Sequence, residues 1–210
     1  MPQQERAHAT RASIIVGAAA VFNVKGFVSA SLDLIADEAG VTRGALYFHF
    51  RSKDDLANAV IAEQHRISRQ YAEQALSAAG SAFEGMIRMC DGLAHQLVSE
   101  VVVSAGIRLT TDGSASILSA TDPYEDWMRT FENLTSMARD EGDFLETVDP
   151  ERVAKFIIPA YTGVQLVSDT LHGRADLFER VRDMWELLIP GLVRPDRIDA
   201  NRRHLELIKR

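Results

Sequence analysis

The chain has 210 residues, 46% of them hydrophobic and 25% charged, enough apolar material for a sizeable core in one domain or two small ones. A formal net charge of -7 would argue against a polyanionic partner if it were evenly spread, but residues 1–53 carry six Lys and Arg against four Asp and Glu, leaving -9 for the remainder. One cysteine, Cys90, excludes an internal disulfide and suggests a reducing compartment; with no long apolar run behind a basic start and no run approaching a membrane span, the expected location is the cytoplasm.

Apolar residues recur three and four apart almost throughout, so the expected fold class is all-α. Ile14, Ala18, Val21 and Phe22 mark a first helix. Lys25-Gly26-Phe27 should stop it, with glycine at a left-handed C-cap. Ser29 or Ser31 can cap a short second helix through Leu32, Ile35, Ala36 and Ala39, ending at Ala39-Gly40-Val41. Thr42 can cap a short third helix, and Ser52 with Asp55 resembles a capping box for a long fourth helix running toward Leu76. Further helices are expected over Phe83–Val98, Val103–Leu109 and Tyr124–Asp140, with Thr110–Pro123 a polar loop. Two apolar helices, Pro150–His172 and Asp176–Leu192, follow around Gly173; Pro159 should kink the first, either as a harmless bend or as one that widens a pocket beside Tyr161. In the second, Leu177, Val181, Met184, Trp185, Leu188, Ile189 and Leu192 trace one stripe, fit for a core or an interface.

The stretch Val41–Leu56, VTRGALYFHFRSKDDL, sets Tyr47, Phe48 and His49 side by side, where a core would space apolar residues three or four apart. Two short helices joined by a glycine turn, the second capped by threonine, match a helix-turn-helix whose second helix enters the DNA major groove. Leu46 and Phe50 can then pack on Ile35, Val21 and Phe22, leaving the adjacent aromatics for DNA. Arg43 has the donor fork that suits guanine O6 and N7, and Gly44 allows close backbone approach. Thr42, Tyr47 and His49 can donate to phosphates, Phe48 can meet a thymine methyl or sugar, and Lys53 adds charge at the start of the next helix. Arg6 and Arg11 could reach DNA from a flexible N-terminal arm.

Gly26-Phe27, Ile35-Ala36, Ala39-Gly40-Val41-Thr42, Gly44-Ala45-Leu46-Tyr47-Phe48-His49-Phe50 and Ser52-Lys53 together resemble the signature of TetR-family repressors, over roughly the first quarter of the chain. The segments VSAGIRL, PYEDW and TGVQLVSDTL further resemble the γ-butyrolactone autoregulator receptor branch. The resemblance implies a DNA-binding domain of three helices over 1–53 and a helical ligand-binding and dimerisation domain over 54–210. It also implies a homodimer on a palindromic operator, released by a small hydrophobic lactone, furan or butenolide.

Trp127 can pack in the core or cover one wall of a ligand cavity, and the resemblance favours the cavity. Thr162 and Gln165 are polar groups on one apolar helix, so if buried they need a ligand or a structural partner; Gln64 is a third candidate. Met86, Met89, Met128 and Met137 read as core. The faces Glu151–Leu171 and Leu177–Val193 are expected to form the dimer contact. The tail from Arg194 reads as a solvated helix end. No nucleophile elbow, zincin motif, phosphate loop or cysteine pair occurs, and Cys90 with His95 has poor geometry for a nucleophile and base, so no enzyme and no cofactor or metal is expected. The alternatives are a C-terminal domain that only dimerises, or one that senses an antibiotic or pathway intermediate, and, most remotely, a small helical enzyme.

Overall fold

The computed structural model describes residues 3–112 and 121–210. Their secondary structure is helical apart from one isolated antiparallel bridge between Phe144 and Val193. The principal helices are α1 (Gln3–Ser29), α2 (Leu32–Glu38), α3 (Arg43–His49), α4 (Lys53–Ser77), α5 (Ala82–Ser99), α6 (Val101–Asp112), α7 (Thr121–Asp140), α8 (Pro150–His172), α9 (Leu177–Leu192) and α10 (Ile198–Arg202).

Three side-chain caps fix the boundaries of the early helices. The Ser31 hydroxyl accepts from the Leu34 amide at 3.2 Å, Thr42 from Ala45 at 3.2 Å and Ser52 from Asp55 at 3.0 Å. Each meets an amide that has no partner within its own helix. Gly40 takes φ 64°, which a residue with a Cβ adopts only under strain, and so turns the chain between α2 and α3.

By packing the chain forms two compact units, dividing at Ser68/Arg69, at Val98/Ser99 and at Ala120/Thr121. The first holds α1, α2, α3, the beginning of α4, and α6. Helix α6, far along the chain, joins this unit. Its core is one buried cluster: Ile14, Ala18 and Phe22 from α1, Ile35 from α2, Leu46 from α3, Leu56 and Val60 from α4, Ala105 and Leu109 from α6. The stretch Gln4–Ser29 is long and apolar enough by composition to cross a membrane, but Ile14, Ile15, Ala18, Val21, Phe22 and Phe27 within it supply this core. Helices α1 and α6 are also tied by polar groups: the Asn23 amide donates to the Val101 carbonyl at 3.0 Å, and Arg108 donates to the Asn23 carbonyl at 2.5 Å.

The second unit holds the rest of α4, α5 and α7 onward. Phe83 is its centre, with ring centroids 5.3 Å from Phe144 and 5.5 Å from Trp185, the latter edge-on. Helix α8 begins on Asp149, which accepts from the Glu151 and Arg152 amides, and ends at Gly173 in the left-handed conformation. Arg174 follows, also left-handed at φ 65°, and its buried guanidinium donates to the Leu97 carbonyl at 2.6 Å.

Several expectations are corrected. Gly26 interrupts the first helix as expected, but its φ of 71° comes with an extended ψ of 170° instead of left-handed C-cap geometry, and a short helical segment follows to Ser29. The loop over Thr110–Pro123 is shorter: α6 continues to Asp112 and α7 starts at Thr121, while residues 113–120 lie outside the described residues. Apart from these corrections, Pro159 is exposed within α8, and Tyr161 is buried with its hydroxyl donating to the Cys90 carbonyl at 2.9 Å. Met86 and Met89 are buried, whereas Met137 is exposed. The tail is only partly solvated, because Asn201, Leu205 and Ile208 are buried.

Candidate functional site

Helix α3 divides its residues by face. Leu46 is fully buried and Phe50, its C-cap, is nearly so; four residues apart, they anchor the helix in the first unit. Opposite them Tyr47 is 54% exposed and Phe48 81%. A phenylalanine this exposed offers apolar area that its own fold leaves largely uncovered. His49 is half-buried, its ring edge-on to Phe48 with centroids 5.1 Å apart, so it lies sideways to the exposed face.

Arg43 opens the helix on the solvent side, where its NH2 meets Asp33 Oδ2 of α2 at 2.7 Å. Gly44 follows, and a Cβ added there would meet only Thr42 Oγ1, at 3.9 Å. The fold therefore gives no steric reason for a glycine at this position. Gly17 is the contrast: a Cβ there would stand 2.8 Å from Ala39 Cβ, because α1 and α2 touch.

Lys53 is more deeply engaged than the sequence suggests. Its ammonium donates to the Val28 carbonyl at 3.1 Å and the Ala30 carbonyl at 2.9 Å, and lies 4.5 Å from the Phe27 ring centroid. It thus closes the C-terminal end of α1 with two of its N–H groups, leaving one. Arg11 sits over the Phe50 ring at 5.3 Å, and Arg6 is exposed. Both project from α1, which is already helical at Gln3, instead of from a flexible arm.

The four residues considered for a ligand fall in different units. Gln64 belongs to the first, buried, with its amide donating to Ser68 Oγ at 3.2 Å and its Cβ 2.4 Å from where a Cβ on Gly106 would stand. Trp127, Thr162 and Gln165 belong to the second. Trp127 is half-buried, with the Arg69 guanidinium 5.9 Å from its ring centroid and Arg69 paired to Asp126 at 3.2 Å. Thr162 donates to the Ile158 carbonyl at 2.9 Å, so its hydroxyl is met by its own helix. Gln165 is only 3% exposed, and its amide makes no hydrogen bond with another described residue. A buried amide in that state is open to a partner from outside the chain.

The apolar stripe of α9 resolves into core: Leu177, Val181, Met184, Trp185 and Ile189 are buried. Other side chains form the exposed apolar surface of the last long helices, namely Phe156, Leu166, Val167 and Leu171 of α8 and Leu187 of α9. Burial pushes the Cys90 thiol up to about 12, which leaves no thiolate for nucleophilic chemistry. Sequence reasoning missed Asp33, whose place in the first turn of α2 signals only a favourable helix-dipole interaction.

Comparison with known proteins supplies an independent finding. A family profile described as "Bacterial regulatory proteins, tetR family" matches residues 14–60, and one described as "Tetracyclin repressor-like, C-terminal domain" matches residues 80–194. The A-factor receptor protein of Streptomyces griseus is 35% identical over 195 residues, which is 93% of this chain and 68% of that protein. The crystal structure of an ArpA-like gamma-butyrolactone receptor matches with a TM-score of 0.83 at 32% identity, covering 97% of this chain and 98% of that one. CprB from Streptomyces coelicolor, solved in complex with its biological operator sequence, matches with a TM-score of 0.79 at 34% identity over 97% and 98% of the two chains.

Proposed function

The chain belongs to the TetR family of bacterial regulatory proteins, and from that membership we propose that it is a cytoplasmic homodimeric repressor, released from a palindromic operator by a γ-butyrolactone-like, furan or butenolide signal. The observation that carries the DNA reading is the division of α3, with Leu46 and Phe50 buried and Arg43, Tyr47 and Phe48 left outside. Arg43 reads a guanine edge, Gly44 lets the backbone approach, and Phe48 lies against a thymine methyl or sugar. Thr42, Tyr47, His49 and the remaining N–H of Lys53 donate to phosphates and fix the register.

The signal binds in the second unit, where Trp127 supplies an apolar wall and the unmet Gln165 amide a polar anchor. Thr162 and Gln64 are secondary candidates, since both hydroxyl and amide already have a protein partner. Two copies pair through the exposed apolar residues of α8 and α9. Helix α4 begins four residues after α3 ends at His49 and runs to Ser77, beyond the division between the units, so a shift along it changes the separation of the two recognition helices. The signal must bind the DNA-incompetent conformation more tightly for this to release the operator.

The test is to select a duplex from a random-sequence pool with the wild-type protein and challenge the complex with γ-butyrolactones, furans, butenolides and antibiotics. Release by a lactone, furan or butenolide is expected. Release by an antibiotic alone, or by none of them, overturns the signal assignment; failure to select any duplex overturns the DNA reading.

A further inference from the structure

Asp33 and Arg43 stand on different helices of the first unit, and each leaves part of its hydrogen-bonding capacity unused. Arg43 NH2 forms an ion pair with Asp33 Oδ2 at 2.7 Å, with the side chains 70% and 50% exposed. Among the described residues the pair stands alone, and the 70% exposure of the Arg43 side chain leaves the rest of the guanidinium fork accessible to solvent. An ion pair this exposed does little for stability. Its position is the informative part, because a carboxylate beside a DNA-contacting face repels phosphates of every sequence.

We propose that Asp33 is a specificity-determining residue, a buttress that holds the Arg43 guanidinium for a guanine edge and keeps it off the phosphate backbone. This rests on the DNA reading above. An untethered arginine is long and flexible, and phosphates are available at every step of a duplex. An ion pair on one side of the guanidinium leaves the neighbouring N–H groups of the fork for guanine O6 and N7. The same contact offsets part of the arginine charge, which reduces sequence-independent attraction. Asp33 acts through Arg43 and is a positioning residue; it need not touch a base.

The experiment compares wild type, Asp33→Ala, Arg43→Ala and the double variant on two duplexes: the one selected from a random pool by the wild-type protein and a scrambled version of it. Asp33→Ala is expected to lower the ratio of selected to scrambled affinity by about 3- to 10-fold, and to steepen the salt slope on the scrambled duplex by about one as Arg43 turns to phosphate. In the Arg43→Ala background, Asp33→Ala should leave the ratio unchanged. Asp33→Asn, which keeps an acceptor but loses the charge, should give an intermediate ratio, and it serves if Asp33→Ala melts early. An unchanged ratio and salt slope in both Asp33 variants, with Arg43→Ala still losing selectivity, overturns the buttress and leaves the DNA reading intact. Equal losses on both duplexes for Arg43→Ala overturn the base-reading assignment itself.

Discussion

Lys53 Nζ donates to the carbonyl of Ala30 at 2.9 Å, joining the first residue of α4 to the link between α1 and α2. The Val28 carbonyl accepts from the same ammonium at 3.1 Å, and together the two contacts hold the segment from which the helix-turn-helix begins. Lys53 therefore has a structural task in addition to any on DNA. Lys53→Ala should lower stability by about 1–2 kcal/mol, because charge-assisted hydrogen bonds to carbonyls are lost at a partly exposed site. It should also reduce the magnitude of the operator salt slope by about one, through the remaining N–H. Thermal unfolding and binding at several salt concentrations separate the two effects: loss of stability with an unchanged slope would make Lys53 a clamp only.

Gly44 separates folding from binding in the opposite way. A Cβ there meets nothing closer than Thr42 Oγ1 at 3.9 Å, and the residue lies in the first turn of α3 with no positive φ. Gly44→Ala should therefore stabilise the protein by up to about 1 kcal/mol, since alanine loses less backbone freedom in a helix. The same methyl would occupy the space between α3 and a base edge, so operator affinity should fall while the melting temperature rises. A variant that binds as tightly as wild type would show that the backbone does not approach the groove at this position.

Much of this site was legible from sequence because its signals are local. Ser31, Thr42 and Ser52 cap helices within three residues of themselves, and Gly40 marks its turn by backbone conformation alone. Tyr47 and Phe48 stood out because adjacent aromatics violate the helical spacing of a core. What escaped depends on how helices meet. The Asp33–Arg43 pair, the carbonyls held by Lys53, and the attachment of α6 to α1 through Asn23 and Arg108 all require crossing geometry that periodicity does not encode. The stripe on α9 was ambiguous for the same reason: a hydrophobic face shows that something covers it, and only packing shows that Phe83 and its neighbours do.

Asp176 makes the second unit sensitive to acid. The Ser168 hydroxyl donates to it at 2.5 Å, Arg180 donates at 2.5 Å and His172 Nδ1 lies 2.9 Å away, so it joins α8 to the start of α9. The Ser168 hydrogen bond is the main cause holding its carboxyl down at about 2, from an ordinary value of 3.8, with Arg180 and His172 adding to it. A depressed folded value means that the ionised form is favoured by folding. Its stabilising contribution is fully present above about pH 4 and is lost as pH falls toward 2. Asp176→Asn should remove that part of the acid dependence, flattening the stability profile between those limits. An unchanged profile from acid unfolding curves would mean that other carboxylates dominate there.

Leu187 tests the pairing of two copies. It is 81% exposed on α9, on a different face from the buried Trp185 and Ile189, and α8 adds exposed Phe156, Leu166, Val167 and Leu171. Burying side chains of this size from water is worth about 1.5–3 kcal/mol each when complete, enough in combination to hold a dimer. Because Leu187 has little contact within its own chain, Leu187→Glu should leave the secondary structure intact. In an interface the new carboxylate would be taken out of water without a partner, at a cost of several kcal/mol per copy. Sedimentation should therefore show a dimer for wild type and a monomer for the variant, and operator affinity should fall because one helix-turn-helix no longer brings the other to its half-site. A dimeric Leu187→Glu protein would place the pairing surface elsewhere.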